Sequence, residues 1–350
     1  MKVKLLIIAL VLTVSASAQQ RRIIRAGGGP GEDITKDWPK IEGKAENLSP
    51  ALDRYLEALV AKELFSGTVL VAHDGQPLYF KSFGLANRDW NVPNANDTRY
   101  SIGSINKIFT KLALDQLHDA GKLDYSKTLR TYLPDYPSDI ADRITIQQLI
   151  DHKSGMGDIF GDEYDALSKD QFRTLRDYMK VFAKNPLEFE PGTNQRYSNA
   201  GYVVLGLVIE KLSGMSYYDY IRKNIYAPAG MVDSDSYAMD EIVPKVAVGY
   251  TRGGMGAPKG TPLRTNIYTK PAKPSSAGGG YSTAMDLLRF TRYYGKQLGY
   301  GMGFGGGAPG LNAAVEVEGE YAIIVLANYD PPSAEAVARN VRTALGLTTE

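Results

Sequence analysis

The chain has 350 residues, 43% hydrophobic and 23% charged, with 40 Lys and Arg against 39 Asp and Glu. This balance supplies a full core and excludes disorder, collagen and coiled coil; the dispersed, nearly neutral charge offers nucleic acid no electrostatic footprint. Three histidines and no cysteine exclude disulfides, thiol nucleophiles, zinc fingers and cysteine-ligated iron–sulfur clusters.

In chain order, Lys2 and Lys4 precede the apolar run from Leu5 to Val14, and Ala16-Ser17-Ala18 follows. This reads as a secretory signal peptide over 1–18, too short to span a bilayer, so an exported, periplasmic or secreted protein without a stable membrane span is expected. Residues 19–48 carry Arg21, Arg22, Arg25 and the run Gly27-Gly28-Gly29-Pro30-Gly31, the composition of a flexible leader. The folded domain is then 49–350.

Ser49-Pro50 suits a helix start, and Leu52, Tyr55, Leu56 and Leu59 recur at helical spacing. Two β-rich runs, Thr68–Ala72 and Leu78–Phe83, flank Asp74-Gly75, the chemistry of a hairpin turn. The far end mirrors this order: Ala313–Val317 and Tyr321–Ala327 flank Glu318-Gly319-Glu320, and Pro332–Leu345 has helical spacing. Since a lone hairpin cannot hide an apolar face, both are expected in one antiparallel sheet flanked by the N- and C-terminal helices. Between them, about 104–230 reads as an α-rich insert, with helical patterns at 104–120, 145–152, 169–183 and 201–213. Residues 250–280 read as loop with a short strand. The fold class is therefore α/β.

Ser104 and Lys107 stand three apart where a helix begins, so they share a face and meet free N–H groups at a positive dipole end. A buried neutral amine there can take the serine proton, while the serine's own N–H helps hold an oxyanion. Alone, the pair is equally a capping serine with a solvated lysine. Context adds Tyr100-Ser101-Ile102-Gly103 before it, then Pro191-Gly192-Thr193, Tyr197-Ser198-Asn199 and Gly201-Tyr202 about ninety residues later.

With Phe65–Val71, Leu149–Met156 and Gly279–Leu287 in the same order, the chain resembles the serine β-lactamase and penicillin-binding family. The likeness is strongest to its class C-like branch of D-alanyl-D-alanine carboxypeptidases and esterases, and it spans about 49–350. The resemblance implies a β-lactamase/transpeptidase-like fold, Ser104 as acylated nucleophile, Lys107 as partner amine, Tyr197 as a phenolate-like acid/base, and Asn199 as a donor to the substrate amide. It implies no metal or cofactor. The expected partner is a small-molecule or peptide substrate, cell-wall derived in the family.

One motif departs. The family's third motif, a Lys or His, one residue, then Gly, corresponds to Phe304-Gly305-Gly306, with Gly307 following as second oxyanion donor. The cation is missing, and a strand and turn look deleted between Phe304 and Gly305, which predicts a damaged sheet edge. A lost charge-assisted bond to a substrate carboxylate costs about 10- to 150-fold, so penicillins and D,D-peptides should suffer more than neutral esters. Lys270 and Lys273 are candidate substitutes for that cation. His73, His118 and His152 share no metal-site spacing and read as structural or surface residues. The leading expectation is an exported serine hydrolase acting through an acyl-enzyme on esters or amides; the alternative is a catalytically impaired binding module for cell-wall peptide or a protein partner.

Overall fold

A computed structural model describes residues 35–41, 48–253, 257, 260–298 and 302–347. The signal-peptide reading and most of the leader lie outside the described residues. Five strands form the central sheet: β1 Gly67–His73, β2 Gln76–Phe83, β3 Met302–Ala308, β4 Leu311–Glu318 and β5 Tyr321–Ala327, in spatial order β2-β1-β5-β4-β3. Every neighbouring pair is antiparallel. The two ends of the chain thus meet at the centre of the sheet, where β1 pairs with β5 from Gly67 opposite Ala327 to His73 opposite Tyr321. At the first hairpin Asp74 and Gly75 both have positive φ, 50° and 70°, as a tight two-residue turn demands.

The period of two sorts the sheet's side chains into two cores. Val69, Val71, Ile323 and Val325 face helix α1 (Leu48–Ala61) and the C-terminal Val337, Ala338 and Val341. Leu70, Ala72, Ile324 and Leu326 face the opposite way, into the larger core built with the helical region. That core receives Phe109, Leu112 and Leu117 from α2 (Asn106–Asp119) and Val203 to Ile209 from α3 (Asn199–Ser213). It also receives Leu287, Phe290 and Tyr294 from α4 (Ala284–Leu298), a helix absent from the sequence reading. The architecture is the expected one, an antiparallel sheet flanked by terminal helices with an α-rich insert.

Two local expectations are corrected. Residues 169–183 are not one helix but short turns at Lys169–Gln171, Leu175–Tyr178 and Met179–Val181, because a Thr174/Asp177 capping box starts a new turn midway. The sheet edge is not broken either. Met302–Ala308 forms one continuous strand, in register with β4 from Ala308 opposite Leu311 to Met302 opposite Val317. Its glycines let it run through a gap too narrow for side chains: a Cβ on Gly306 would lie 2.0 Å from the Ile102 carbonyl oxygen.

Candidate active site

Ser104 sits in the middle of a 3-10 turn, Gly103–Ile105, that leads directly into α2. Gly103 has φ of 52°, the left-handed region that glycine enters at no steric penalty. The turn is clamped from two sides. On one, Ile102 N–H donates to the Gly280 carbonyl at 2.8 Å, and Gly279 N–H to the Gly103 carbonyl at 3.2 Å. On the other runs β3, where a Cβ on Gly306 would lie 2.9 Å from the Ser104 nitrogen and one on Gly103 3.0 Å from the Gly307 nitrogen. Gly306 and Gly307 thus stand beside the serine turn as the motif order requires.

Two candidate side chains converge on the serine hydroxyl. Tyr197 Oη donates to Ser104 Oγ at 2.7 Å, and Lys107 Nζ lies 3.3 Å from the same atom. The amine also touches Asn199 Oδ1 at 2.7 Å and the Ala277 carbonyl at 2.5 Å. Tyr197 is held just ahead of α3, whose N-cap Ser198 accepts from Gly201 N–H at 3.0 Å. Lys107 is buried, with its Nζ 4.7 Å from the centre of the Tyr197 ring.

Burial decides the protonation states. It pushes the Lys107 ammonium down to about 7, against the opposing pull of the Asp158 carboxylate. It pushes the Tyr197 phenol well above its ordinary value, offset in part by the Ser104 hydrogen bond and reinforced by Asp158. Near neutrality burial thus favours the phenol form of Tyr197 and brings Lys107 to where its amine can exchange a proton. A neutral amine has two N–H bonds and one lone pair. Asn199 and Ala277 take the two donors, which leaves the lone pair for the Ser104 hydroxyl.

Three contributors had no signal in the motif spacing. The Ala277 carbonyl belongs to Ser275–Gly280, a run stitched to α2 by Asn106 Nδ2 to the Ser275 carbonyl at 3.2 Å and Thr110 Oγ1 to the Ser276 carbonyl at 2.7 Å. Asp158 accepts from Asn199 Nδ2 with both oxygens at 3.0 Å, so the amide expected to meet substrate is engaged by the protein itself. His152, set aside as structural, stacks on Tyr197 with ring centres 4.6 Å apart, and its Nδ1 accepts from Ser198 N–H at 3.2 Å. Among the described residues its buried Nε2 has no hydrogen-bond partner.

Burial, and secondarily the charge of Lys107, pushes His152 down to about 4 from an ordinary 6.5. The unfolded chain therefore binds this proton at a higher pH than the folded one, and stability falls as pH drops from 6.5 towards 4, by about 3 kcal/mol from this group. Urea midpoints at pH 7 and pH 4.5 should show that acid slope reduced in His152→Phe. Equal slopes would exclude His152 as its source.

The other predicted cations are occupied elsewhere. Lys270 donates to Tyr281 Oη and lies 4.8 Å from that ring's centre, while Lys273 lies 4.5 Å from the centre of the Tyr218 ring. Phe304, which the resemblance sets at the family's cation, packs against the large core. His73 lies on the β1–β5 edge of the first hairpin with Asp74 and Glu320, and His118 stacks on Tyr125, both away from Ser104's hydrogen-bond partners. No helix among the described residues is long and apolar enough to cross a membrane.

Comparison with known proteins shows the family. A penicillin-binding protein of Bacillus subtilis (strain 168) is 34% identical over 194 residues, covering 55% of this chain but only 42% of that protein. An esterase of Burkholderia gladioli is 29% identical over 275 residues, 70% of this chain and 69% of the esterase. The crystal structure of a penicillin-binding protein from Bacillus halodurans superposes with a TM-score of 0.71 at 27% identity, covering 83% of this chain and 99% of that one. The family model described as Beta-lactamase matches residues 52–302, and the chain belongs to that family of serine hydrolases.

Proposed function

We propose that this protein is an exported serine hydrolase that is acylated on Ser104 by an ester or amide substrate and deacylated by water. The observation that carries the reading is the convergence of a neutralisable amine and a phenol on one half-buried hydroxyl, Lys107 at 3.3 Å and Tyr197 at 2.7 Å. Its penicillin-binding and esterase relatives support acyl transfer, and the signal-like residues 2–18 support export.

The steps balance within the chain's own residues. Lys107 takes the Ser104 proton as Oγ attacks the acyl carbon. The backbone N–H groups of Ser104 and Gly307 face the developing oxyanion. Tyr197 passes its proton to the departing alcohol or amine, and the Lys107 ammonium, over the ring, stabilises the transient phenolate and returns the proton to it. Water then attacks the acyl-enzyme by the same route in reverse, and the acid leaves. Asn199 holds the amine in place and Asp158 holds Asn199.

Since Phe304 replaces the carboxylate-binding cation, p-nitrophenyl esters should be hydrolysed faster than penicillins. Intact-mass analysis against a panel of esters, β-lactams and D,D-peptides tests both parts. An acyl adduct on the wild-type protein that is absent from Ser104→Ala is expected, with esters ahead of penicillins. Folded protein that no acylating probe labels would reject the hydrolase in favour of a binding module.

A further inference from the structure

Gly307, the second oxyanion donor of the proposed steps, is tied into the fold by a side chain that those steps do not use. Asn312 lies on β4 directly opposite Gly307 and is fully buried. Its Nδ2 donates to the Gly306 carbonyl at 3.0 Å. Its Oδ1 accepts from Ala334 N–H at 2.7 Å and from Glu335 N–H at 3.2 Å. Both donors belong to the first turn of the C-terminal helix α5 (Ser333–Ala344).

The bond to Gly306 reaches the catalytic geometry through a single peptide unit. The Gly306 carbonyl and the Gly307 N–H share one planar trans peptide, so they point in opposite directions and cannot be turned independently. The carbonyl is held from β4, which turns the N–H away from that strand, and β3 is the last strand on its side of the sheet. The serine turn stands against the same nitrogen: a Cβ on Gly103 would lie 3.0 Å from it, and one on Gly306 would lie 2.9 Å from the Ser104 nitrogen. A Gly-Gly peptide has no side chain of its own to restrain it, so its direction depends on a hold from outside.

The polarity of the Asn312 amide is dictated by its surroundings. Two N–H groups at the start of α5 need an acceptor, and the amide oxygen is the half of the side chain that supplies one; the nitrogen must then face the Gly306 carbonyl. The donors line up in one direction, from the α5 N–H groups to Asn312 Oδ1, and from Asn312 Nδ2 to the Gly306 carbonyl. Gly307 N–H continues that line. Buried hydrogen bonds in series polarise one another, and a helix start contributes positive potential at the head of the series.

We propose that Asn312 is a positioning residue for acylation: it fixes and polarises the Gly306–Gly307 peptide, so that Gly307 N–H is already aimed when negative charge develops on the acyl oxygen. Donors set in advance need no reorganisation at the moment of reaction. The proposal rests on the hydrolase reading above and assigns the part of the fold that prepares its oxyanion site.

The test compares a p-nitrophenyl ester with its thionoester, in which sulfur replaces the carbonyl oxygen and accepts hydrogen bonds more weakly. Values of kcat/KM are taken at pH 8 for the wild type, Asn312→Leu and Asn312→Asp, with the Ser104→Ala background subtracted. Leucine removes both polar functions. Aspartate still accepts from the two α5 N–H groups but, once ionised, has no proton for the Gly306 carbonyl, so it carries the test where the leucine variant does not fold. Deleting an oxyanion donor outright costs about 10²–10³-fold; loosening one should slow the ester by about 10- to 100-fold and the thionoester by less than about threefold. The preference for oxygen over sulfur then collapses. Ester rates within about threefold of the wild type in either folded variant overturn the proposal. Equal slowing of both substrates overturns it too, since a general disturbance of the fold would act on the two alike. A wild type that leaves no adduct on Ser104 from either substrate rejects the hydrolase reading itself, an outcome distinct from any result with the Asn312 variants.

Discussion

Ser104→Ala should lower ester hydrolysis by at least about 10⁴-fold while leaving the fold intact. When a nucleophile and its proton-transfer partners work as one unit, deleting the nucleophile alone removes nearly the whole acceleration, about 10⁶-fold in a well-studied serine hydrolase. What remains is the contribution of the oxyanion donors and of binding, here the N–H of residue 104 itself and that of Gly307, neither of which the substitution removes. Stability should change little. Tyr197 Oη loses its acceptor, but the position is half exposed, so water can replace the hydroxyl and the penalty stays near 1 kcal/mol. The check is a kcat/KM comparison alongside thermal melts and circular dichroism. A variant that keeps more than a tenth of the wild-type rate would place the nucleophile elsewhere and dissolve the proposed mechanism.

Lys107→Met is expected to do two opposite things: to cut acylation by about 10³-fold or more and to stabilise the protein at pH 7. The rate loss follows from removal of the one group among Ser104's described partners whose proton exchanges near neutrality, since general-base catalysis is worth about 10²–10⁴-fold and the remaining phenol is held protonated. For the same reason the wild-type acylation rate should climb with pH and level off above about 7, as Lys107 loses its proton.

The stability effect follows from the same burial. Folding forces an amine with an ordinary value of 10.5 down to about 7, so at every pH between these limits the unfolded chain holds more proton and the wild type is penalised. The full penalty would be up to about 5 kcal/mol at pH 7. Methionine escapes it but leaves Asn199 Oδ1 and the Ala277 carbonyl without a donor, which offsets part at about 1–2 kcal/mol each, the lower part of the range because both acceptors are neutral. A net gain of about 1–3 kcal/mol is expected at pH 7, and it should shrink as pH rises towards 10.5, where the unfolded lysine also becomes neutral. Urea unfolding of both proteins at pH 7 and pH 10 measures it. A difference that does not move with pH would mean that Lys107 is not the buried titrating group.

The parts of this site that were readable in advance are those in which one residue type is irreplaceable. Asp74-Gly75 announces its turn because two successive positive φ angles admit few residues, and the pairs beside it, His73 with Gln76 and Ala72 with Pro77, follow from it before a bulge after Val71 shifts the register. Ser104 and Lys107 are legible because a three-residue spacing at a helix start forces proximity; Tyr197 and Asn199 became legible only through resemblance, since ninety residues of chain separate them from the serine. The unread parts act through the backbone or through long-range packing. Ala277 contributes a carbonyl that every residue owns. His152 matters because its ring lies against Tyr197, and Asp158 because an amide from α3 meets it, contacts that no local period records. The β3 strand was misread for a related reason: a glycine run at a sheet edge looks like damage in one dimension, whereas in three Gly306 lies tight against Ile102 and Ser104.

The hold of Ala277 on the Lys107 amine has a consequence for anyone mapping this protein by substitution. Two atoms orient the base, yet only one of them, on Asn199, belongs to a side chain. Replacing Ala277 by glycine or serine leaves the peptide oxygen where it was, so a conventional scan will score the position as silent although half of the base's orientation passes through it. Only an edit to the main chain itself, such as an ester in place of the peptide link, would weaken that oxygen as an acceptor and make its contribution visible.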